Sequence, residues 1–352
     1  MSIVFLRVHS PGAKALGSRR YPTFSLSFRS LFSTLCSVVT YNDIEAAYRV
    51  LQPVVHKTPL LTSQTFNRQS GNEVFLKAEN LQRAGAFKIR GAYNKIHSLS
   101  PDERRRGVVA HSSGNHAQGV ALAARLLGVK ATVVMPKGSV PAKVDGVKGY
   151  GAELVFSEDS SDAREQLALT LEREHGYVPV PPFDDDAIIA GQGTATVEVA
   201  QDLRALDYLF VPVGGGGLIS GNAIAAKHLF PNIKVIGVET EPANDCYQSF
   251  RQKTIVRIAP PKTIADGMRT QAIGKRNFDI IMKYVDDVIT VTDEQVIAMM
   301  KFFIQRMKIV VEPTGAVAPA ALFHNVLALA GKKACAILSG GNADPNFLKQ
   351  IL

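Results

Sequence analysis

Cysteine is scarce: Cys36, Cys246 and Cys335 are odd in number and too scattered to frame disulfides or a zinc site. A reducing compartment suits such a chain. Long hydrophobic runs are missing too. The most apolar stretch, VEPTGAVAPAALFHNVLALAG, is interrupted by Glu312, Pro313, Pro319, His324 and Asn325, so no membrane span is expected. Acidic residues are absent from the first 42 positions, which hold Arg7, Lys14, Arg19, Arg20 and Arg29. Removing those five from the 40 basic residues leaves 35 against 31 acidic ones, so most of the net charge of +9 belongs to the leader. With no basic helix and no aromatic RNA-binding motif either, no nucleic-acid partner is expected.

The leader, residues 1–40, is rich in Arg, Ser and Phe. That is the make-up of an organelle transit peptide, and a disordered extension is the plainer alternative. The expected location is the mitochondrion or plastid if the leader directs import, and the cytoplasm otherwise.

What remains is ordinary globular material, 46% hydrophobic over 352 residues, enough to bury a core. From Tyr41 onward, short β-branched runs (EVFLKA, GVVAH, KATVVMP, AELVFSE, YLFVPV, KVIGVE, DVITV, ACAILSG) alternate with helical stretches such as AQGVALAARLLG, SDAREQLALTLEREHG, LISGNAIAAKHLF and TDEQVIAMMKFFIQRM. Several runs are too continuously apolar for a half-exposed sheet, which predicts an α/β fold with mainly parallel sheets covered by helices. Loops that follow the strands should then carry the function.

Three such loops stand out. In VPVGGGGLISG, a strand enters Gly214, Gly215, Gly216 and Gly217 before a helix begins, so successive backbone NH groups can converge on an anion. The loop lacks the lysine and hydroxyl of a nucleotide-triphosphatase P-loop and spells GxGxxxG rather than GxGxxG. A dehydrogenase is nevertheless a reading to weigh, because Glu239 ends the next strand near the place of a ribose-binding acid. In VVAHSSGNHAQG, a strand ends in Ser112, Ser113, Asn115 and His116, where either serine could simply cap the following helix. ACAILSGGN ends in Ser339, two glycines and an amide. Three polar loops at strand ends predict one shared cleft.

ENLQRAGAFKIRGA, HSSGNHAQG, VPVGGGGLISG, EPTGAVAPAA and LSGGN occur in the order and spacing of the serine racemase and threonine dehydratase family of pyridoxal-phosphate enzymes, and the chain resembles that family from about Asp43 to its end. The resemblance implies fold type II, with two domains that each hold a mainly parallel twisted sheet: a large domain over 41–106 and 184–352, and a small one over 107–183. It implies that Lys88 forms the Schiff base with pyridoxal 5'-phosphate, with Phe87 against the ring. Gly214, Gly215, Gly216 and Gly217 would hold the phosphate, Asn115 the ring hydroxyl and Ser339 the pyridine nitrogen. The dehydrogenase reading has no use for Lys88, Ser113 or Ser339.

A hydroxyl at the ring nitrogen makes the ring a weaker electron sink than an aspartate would, which suits racemisation and β-elimination. Racemisation needs a second acid-base group opposite Lys88, and Ser113 is the candidate. Related dehydratases usually carry alanine there, although hydroxyaspartate dehydratases share the serine. The implied substrate site is Ser112, Ser113, Asn115, His116 and Arg164. Glu239 and Asp245, with the carbonyl of Ala243, match acids that hold magnesium or calcium in the racemases. The implied activity is serine racemisation with elimination to pyruvate and ammonia, in a homodimer. Alternatives are a dehydratase of threonine or hydroxyaspartate and, from another class, a non-catalytic cofactor-binding protein. Alanine at positions 84 and 86 departs from the family's hydroxyl residues, which argues against nucleotide regulation near Arg83 and Gln118.

Overall fold

The computed structural model describes residues 39–112, 114–139 and 141–352. Most of the leader, and Ser113, lie outside the described residues. The eight β-branched runs form strands, and two further strands of two residues each join them. In chain order they are β1 (Leu60–Leu61), β2 (Glu73–Lys77), β3 (Val108–His111), β4 (Ala131–Pro136), β5 (Glu153–Ser157), β6 (Val178–Pro179), β7 (Tyr208–Pro212), β8 (Lys234–Thr240), β9 (Asp287–Val291) and β10 (Lys333–Ile337). The pair that sequence reading missed, β1 and β6, is too short to show a periodicity.

Two sheets result. The larger runs β1-β2-β10-β7-β8-β9 and the smaller β5-β4-β3-β6. All pairings are parallel except β1 with β2. Parallel neighbours need helical crossovers that cover both faces, and this explains why β4 and β10 are buried almost throughout. The core under the larger sheet joins Phe66, Phe210, Met299, Met300 and Phe303 to the helix Pro313–Phe323, in which ten consecutive residues from Pro313 are buried. The expected helix TDEQVIAMMKFFIQRM departs slightly from the reading: its α-helical part ends at Phe302 and a π-turn follows over Phe303–Met307.

β7 lies between β10 and β8, so the loop leaving β7 and the residues leaving β10 are neighbours in space. That order carries the glycine loop and Ser339 to one place.

Candidate active site

The segment before Lys88 is stitched to the exit of β10. Phe87 N–H donates to Ser339 O at 3.1 Å, Gly341 N–H donates to Gly85 O at 2.8 Å, and Ala86 forms an antiparallel bridge with Gly340. The helix Lys88–Ser98 starts at once. Lys88 therefore projects from a first helical turn whose entry is fixed on both sides. Its Nζ donates to Pro182 O at 2.7 Å and sits 5.2 Å from the centre of the Phe87 ring. Burial without a carboxylate partner lowers its ammonium pKa to about 8. An amine so placed is ready to act as a nucleophile near neutral pH.

The glycine loop faces the same space. Gly215 O accepts from Gly274 N–H at 3.1 Å and from Asn277 Nδ2 at 3.0 Å, so this carbonyl is turned into the protein. Gly216 has φ +97°, a left-handed conformation natural only to glycine. A Cβ on Gly215 would stand 2.2 Å from the Phe183 ring. Crowding and conformation together explain the glycines, and the helix Gly217–Leu229 directs its free N-terminal amides from here.

Asn115 opens the helix Asn115–Leu127 after Gly114. Ser112 does not cap that helix: its hydroxyl accepts from Gly114 N–H at 3.2 Å instead. Asn115 is held from two sides, its Nδ2 donating to Glu312 Oε1 at 2.6 Å and its Oδ1 accepting from Asn342 Nδ2 at 2.9 Å. Burial, reinforced by Asp266, raises the Glu312 carboxyl to about 7. His116 is buried with Nε2 2.8 Å from Val180 O. Burial and the nearby Lys88 push its pKa down to about 3, so the ring is neutral and Nε2 carries the proton that Val180 O accepts. The Ser339 hydroxyl is buried without a hydrogen-bond partner among the described residues.

These loops enclose a cavity of about 350 Å³. Phe87, Lys88, Ser112, Asn115, His116, Gly214 to Gly217, Arg164 and Ser339 all line it. Sequence reading missed other lining residues: Glu312, the Lys143–Asp266 ion pair, Arg257 and the loop Asp266–Ala272. Glu312 opens the stretch EPTGAVAPAA, which is its only local signal. Lys143 and Asp266 lie 123 residues apart in the chain, and no local pattern joins them.

Glu239, Ala243 and Asp245 are drawn together at the end of β8 and do not themselves line the cavity, although Asp245 neighbours Thr270, which does. All three are buried, and Ala243 N–H donates to Thr240 O. Glu239 accepts from Cys246 N–H at 3.2 Å and Tyr247 N–H at 2.7 Å. Both Asp245 carboxylate oxygens are buried with no donor at bonding geometry. Burial raises Asp245 to about 7, only its own amide and the Thr270 hydroxyl working the other way, and burial with Asp245 raises Glu239 well above the usual range. Among the described residues no group of three His, Cys, Asp or Glu side chains is arranged to hold a metal. A cation here would rest on two carboxylates and backbone oxygen.

A buried, partly deprotonated lysine opposite a glycine anion cradle, at the carboxyl ends of a parallel sheet, defines an α/β enzyme built around a phosphorylated carbonyl cofactor. The chain belongs to the family of pyridoxal-phosphate dependent enzymes, whose model matches residues 51–340. It is 48% identical over 307 residues to an L-threo-3-hydroxyaspartate ammonia-lyase of Saccharomyces cerevisiae, covering 87% of this chain and 94% of that one. It is 47% identical to a serine racemase of Schizosaccharomyces pombe, covering 88% and 98%. The crystal structure of serine racemase from Dictyostelium discoideum superposes with a TM-score of 0.81 at 41% identity, covering 87% and 99%. The residues present fit the cofactor: Ser339 has an unanswered buried hydroxyl, Lys88 a depressed pKa, and the glycine loop no room for side chains.

Proposed function

We propose that this enzyme interconverts L- and D-serine and also eliminates water from serine to give pyruvate and ammonia. The observation that carries the reading is the buried Lys88 amine, with a pKa of about 8 and a backbone carbonyl as its partner, in a cavity that also holds the Ser339 hydroxyl. Pyridoxal phosphate, when bound, draws electrons away from the substrate α-carbon and so loosens its proton.

The rest falls to the chain. Lys88 would anchor the cofactor and, once released, move the α-proton on its own face. The amides of Gly214, Gly215, Gly216 and Gly217 would hold the phosphate, Phe87 would lie against the ring, and Ser339 would meet the ring nitrogen. Asn115, already oriented by Glu312 and Asn342, would hold the ring hydroxyl. Ser112, Ser113, Asn115 and the backbone at His116 would take the substrate carboxylate, with Arg164 closing the mouth. Ser113 would serve the opposite face of the α-carbon, which racemisation needs and elimination does not. The neutral, tied His116 ring is suited to orientation rather than charge. Glu239, Asp245 and the Ala243 carbonyl would hold Mg2+ or Ca2+, bracing the larger sheet rather than taking part in the chemistry. We further propose a homodimer, and that residues 107–183, which include the smaller sheet, form a domain of their own.

A second reading has specific support: an ammonia-lyase acting on 3-hydroxyaspartate. Arg164 and Arg257 line the cavity, and a second substrate carboxylate would find cationic groups there.

One reaction separates these readings: purified protein, cofactor, magnesium and L-serine, followed by chiral separation for D-serine and a coupled assay for pyruvate. Abundant D-serine supports the racemase. Pyruvate alone would reduce the enzyme to a dehydratase and send the search to threonine and hydroxyaspartate. No shift of the cofactor's visible absorption with any amino acid would leave only a non-catalytic cofactor-binding protein.

A further inference from the structure

Lys88 and Arg90 stand two residues apart in one helical turn, so their side chains leave the helix roughly 200° apart. Lys88 enters the cavity. Arg90 enters the interior and is 0% exposed. There all five guanidinium N–H groups find acceptors. Nε and Nη2 bind Glu79 at 2.7 and 2.8 Å, Nη1 and Nη2 bind Glu198 at 2.7 and 2.8 Å, and Nη1 also reaches the Thr194 hydroxyl at 3.2 Å. Lys77 Nζ completes the group, 2.5 Å from Glu198 Oε2 and 2.6 Å from Thr58 O, while the Thr58 hydroxyl donates to Glu79 at 2.5 Å. Two cations and two carboxylates cancel without meeting water.

Such a group is weak support for stability, because the cost of drying four charges offsets most of what their pairing returns. Its placement is more informative. It ties the end of β2, the turn Glu79–Leu81 and the helix Lys88–Ser98 to the helix Asp186–Asp202. That last helix begins just after Pro182, which accepts from Lys88, and Phe183, which packs on the glycine loop. The two helices approach so closely that a Cβ on Gly91 would lie 2.3 Å from Gln192 Nε2 and one on Gly191 would lie 2.7 Å from Arg90 O. Asn94 Nδ2 to Ala187 O, 2.8 Å, extends the seam.

We propose that the buried Lys77–Glu79–Arg90–Glu198 network is a positioning device for the reaction, fixing the rotation of the first helical turn and with it the place of the Lys88 amine. The inference rests on the reading of Lys88 as the cofactor anchor. A guanidinium gripped by two carboxylates defines a rotation about the helix axis, whereas an ammonium supplies the same charge without the planar fork.

The test uses the holoenzyme with Arg90→Lys, and with Arg90→Met combined with Glu79→Gln, which removes one charge of each sign and leaves the Lys77–Glu198 pair. Readouts are the visible absorption of the bound cofactor, the pH at which that absorption titrates, kcat against KM, and thermal melting. The expected result is a kcat about 10²-fold lower with KM nearly unchanged, a displaced absorption titration, and a double variant that melts close to the parent. Altered melting with unchanged absorption, titration and kcat would overturn the proposal, as would loss of folding in both variants. Lys88→Ala run alongside separates the two ideas: lysine-bound absorption and turnover that survive it would sink the anchor reading itself, independently of Arg90.

Discussion

Glu312 Oε1 lies 2.6 Å from Asn115 Nδ2, and both side chains face the cavity although 197 residues separate them in the chain. Glu312 is therefore a positioning residue for Asn115. Its buried carboxyl has a pKa raised from 4.5 to about 7. For a carboxyl raised on folding, the native state holds a proton the unfolded chain releases, so stability is fully present below about pH 4.5 and is lost as pH rises through about 7. Glu312→Gln keeps an acceptor for Asn115 and removes the titration. Melting curves from pH 5 to 8 should show a smaller decline in this variant than in the parent, and activity should lose its dependence near pH 7. Parallel curves would exclude Glu312 as the titrating group.

Lys88→Ala should abolish covalent retention of the cofactor and lower turnover by about 10²- to 10⁴-fold, the usual contribution of a general acid-base group, or by more if anchoring is also lost. Spectra after dialysis, with initial rates, provide the check. In the parent, the lysine-dependent limb of the rate profile should rise with pH through about 8, because the neutral amine is the competent form.

Ser113→Ala should abolish formation of D-serine while leaving pyruvate formation within a few fold, since elimination needs no proton on the second face. Chiral chromatography and a pyruvate assay on one sample measure both. Unchanged racemisation would sink the two-base mechanism.

Asp245→Asn should remove any effect of magnesium or calcium on melting temperature. In the parent, added cation should raise the melting temperature more at pH 8 than at pH 6, because binding requires the carboxylates in their charged form and Asp245 titrates near 7. Equal shifts at both values, or none, would count against a cation at Glu239 and Asp245.

Gly215→Ala should cost about 1–3 kcal/mol of stability, the usual range for overpacking, because its Cβ would meet the Phe183 ring at 2.2 Å. Cofactor titration of the apoenzyme should show weaker binding as well. Calorimetry reads the first effect and absorption the second.

Much of this was legible locally. Strand runs such as KATVVMP and YLFVPV carry their own apolar signature, and each of the eight became a strand. Gly214 to Gly217, Ser339 and Asn115 were recognisable because loops at strand ends must be polar or glycine-rich to bind anything, and one cavity contains them all. The short strands β1 and β6 left too little pattern to read, and the π-turn at Phe303–Met307 interrupts a stretch whose apolar spacing continues through it.

The alternation of strands and helices and the three polar loops could be read from the chain alone, because each depends on residues close together in it. Tertiary structure alone decided the partners: Pro182 for Lys88, Glu312 and Asn342 for Asn115, and Glu79 and Glu198 for Arg90. Those choices follow from strand order, which sets β7 beside β10, and from burial, which forces each polar group taken from water to find a neighbour from whatever segment the packing brings within reach.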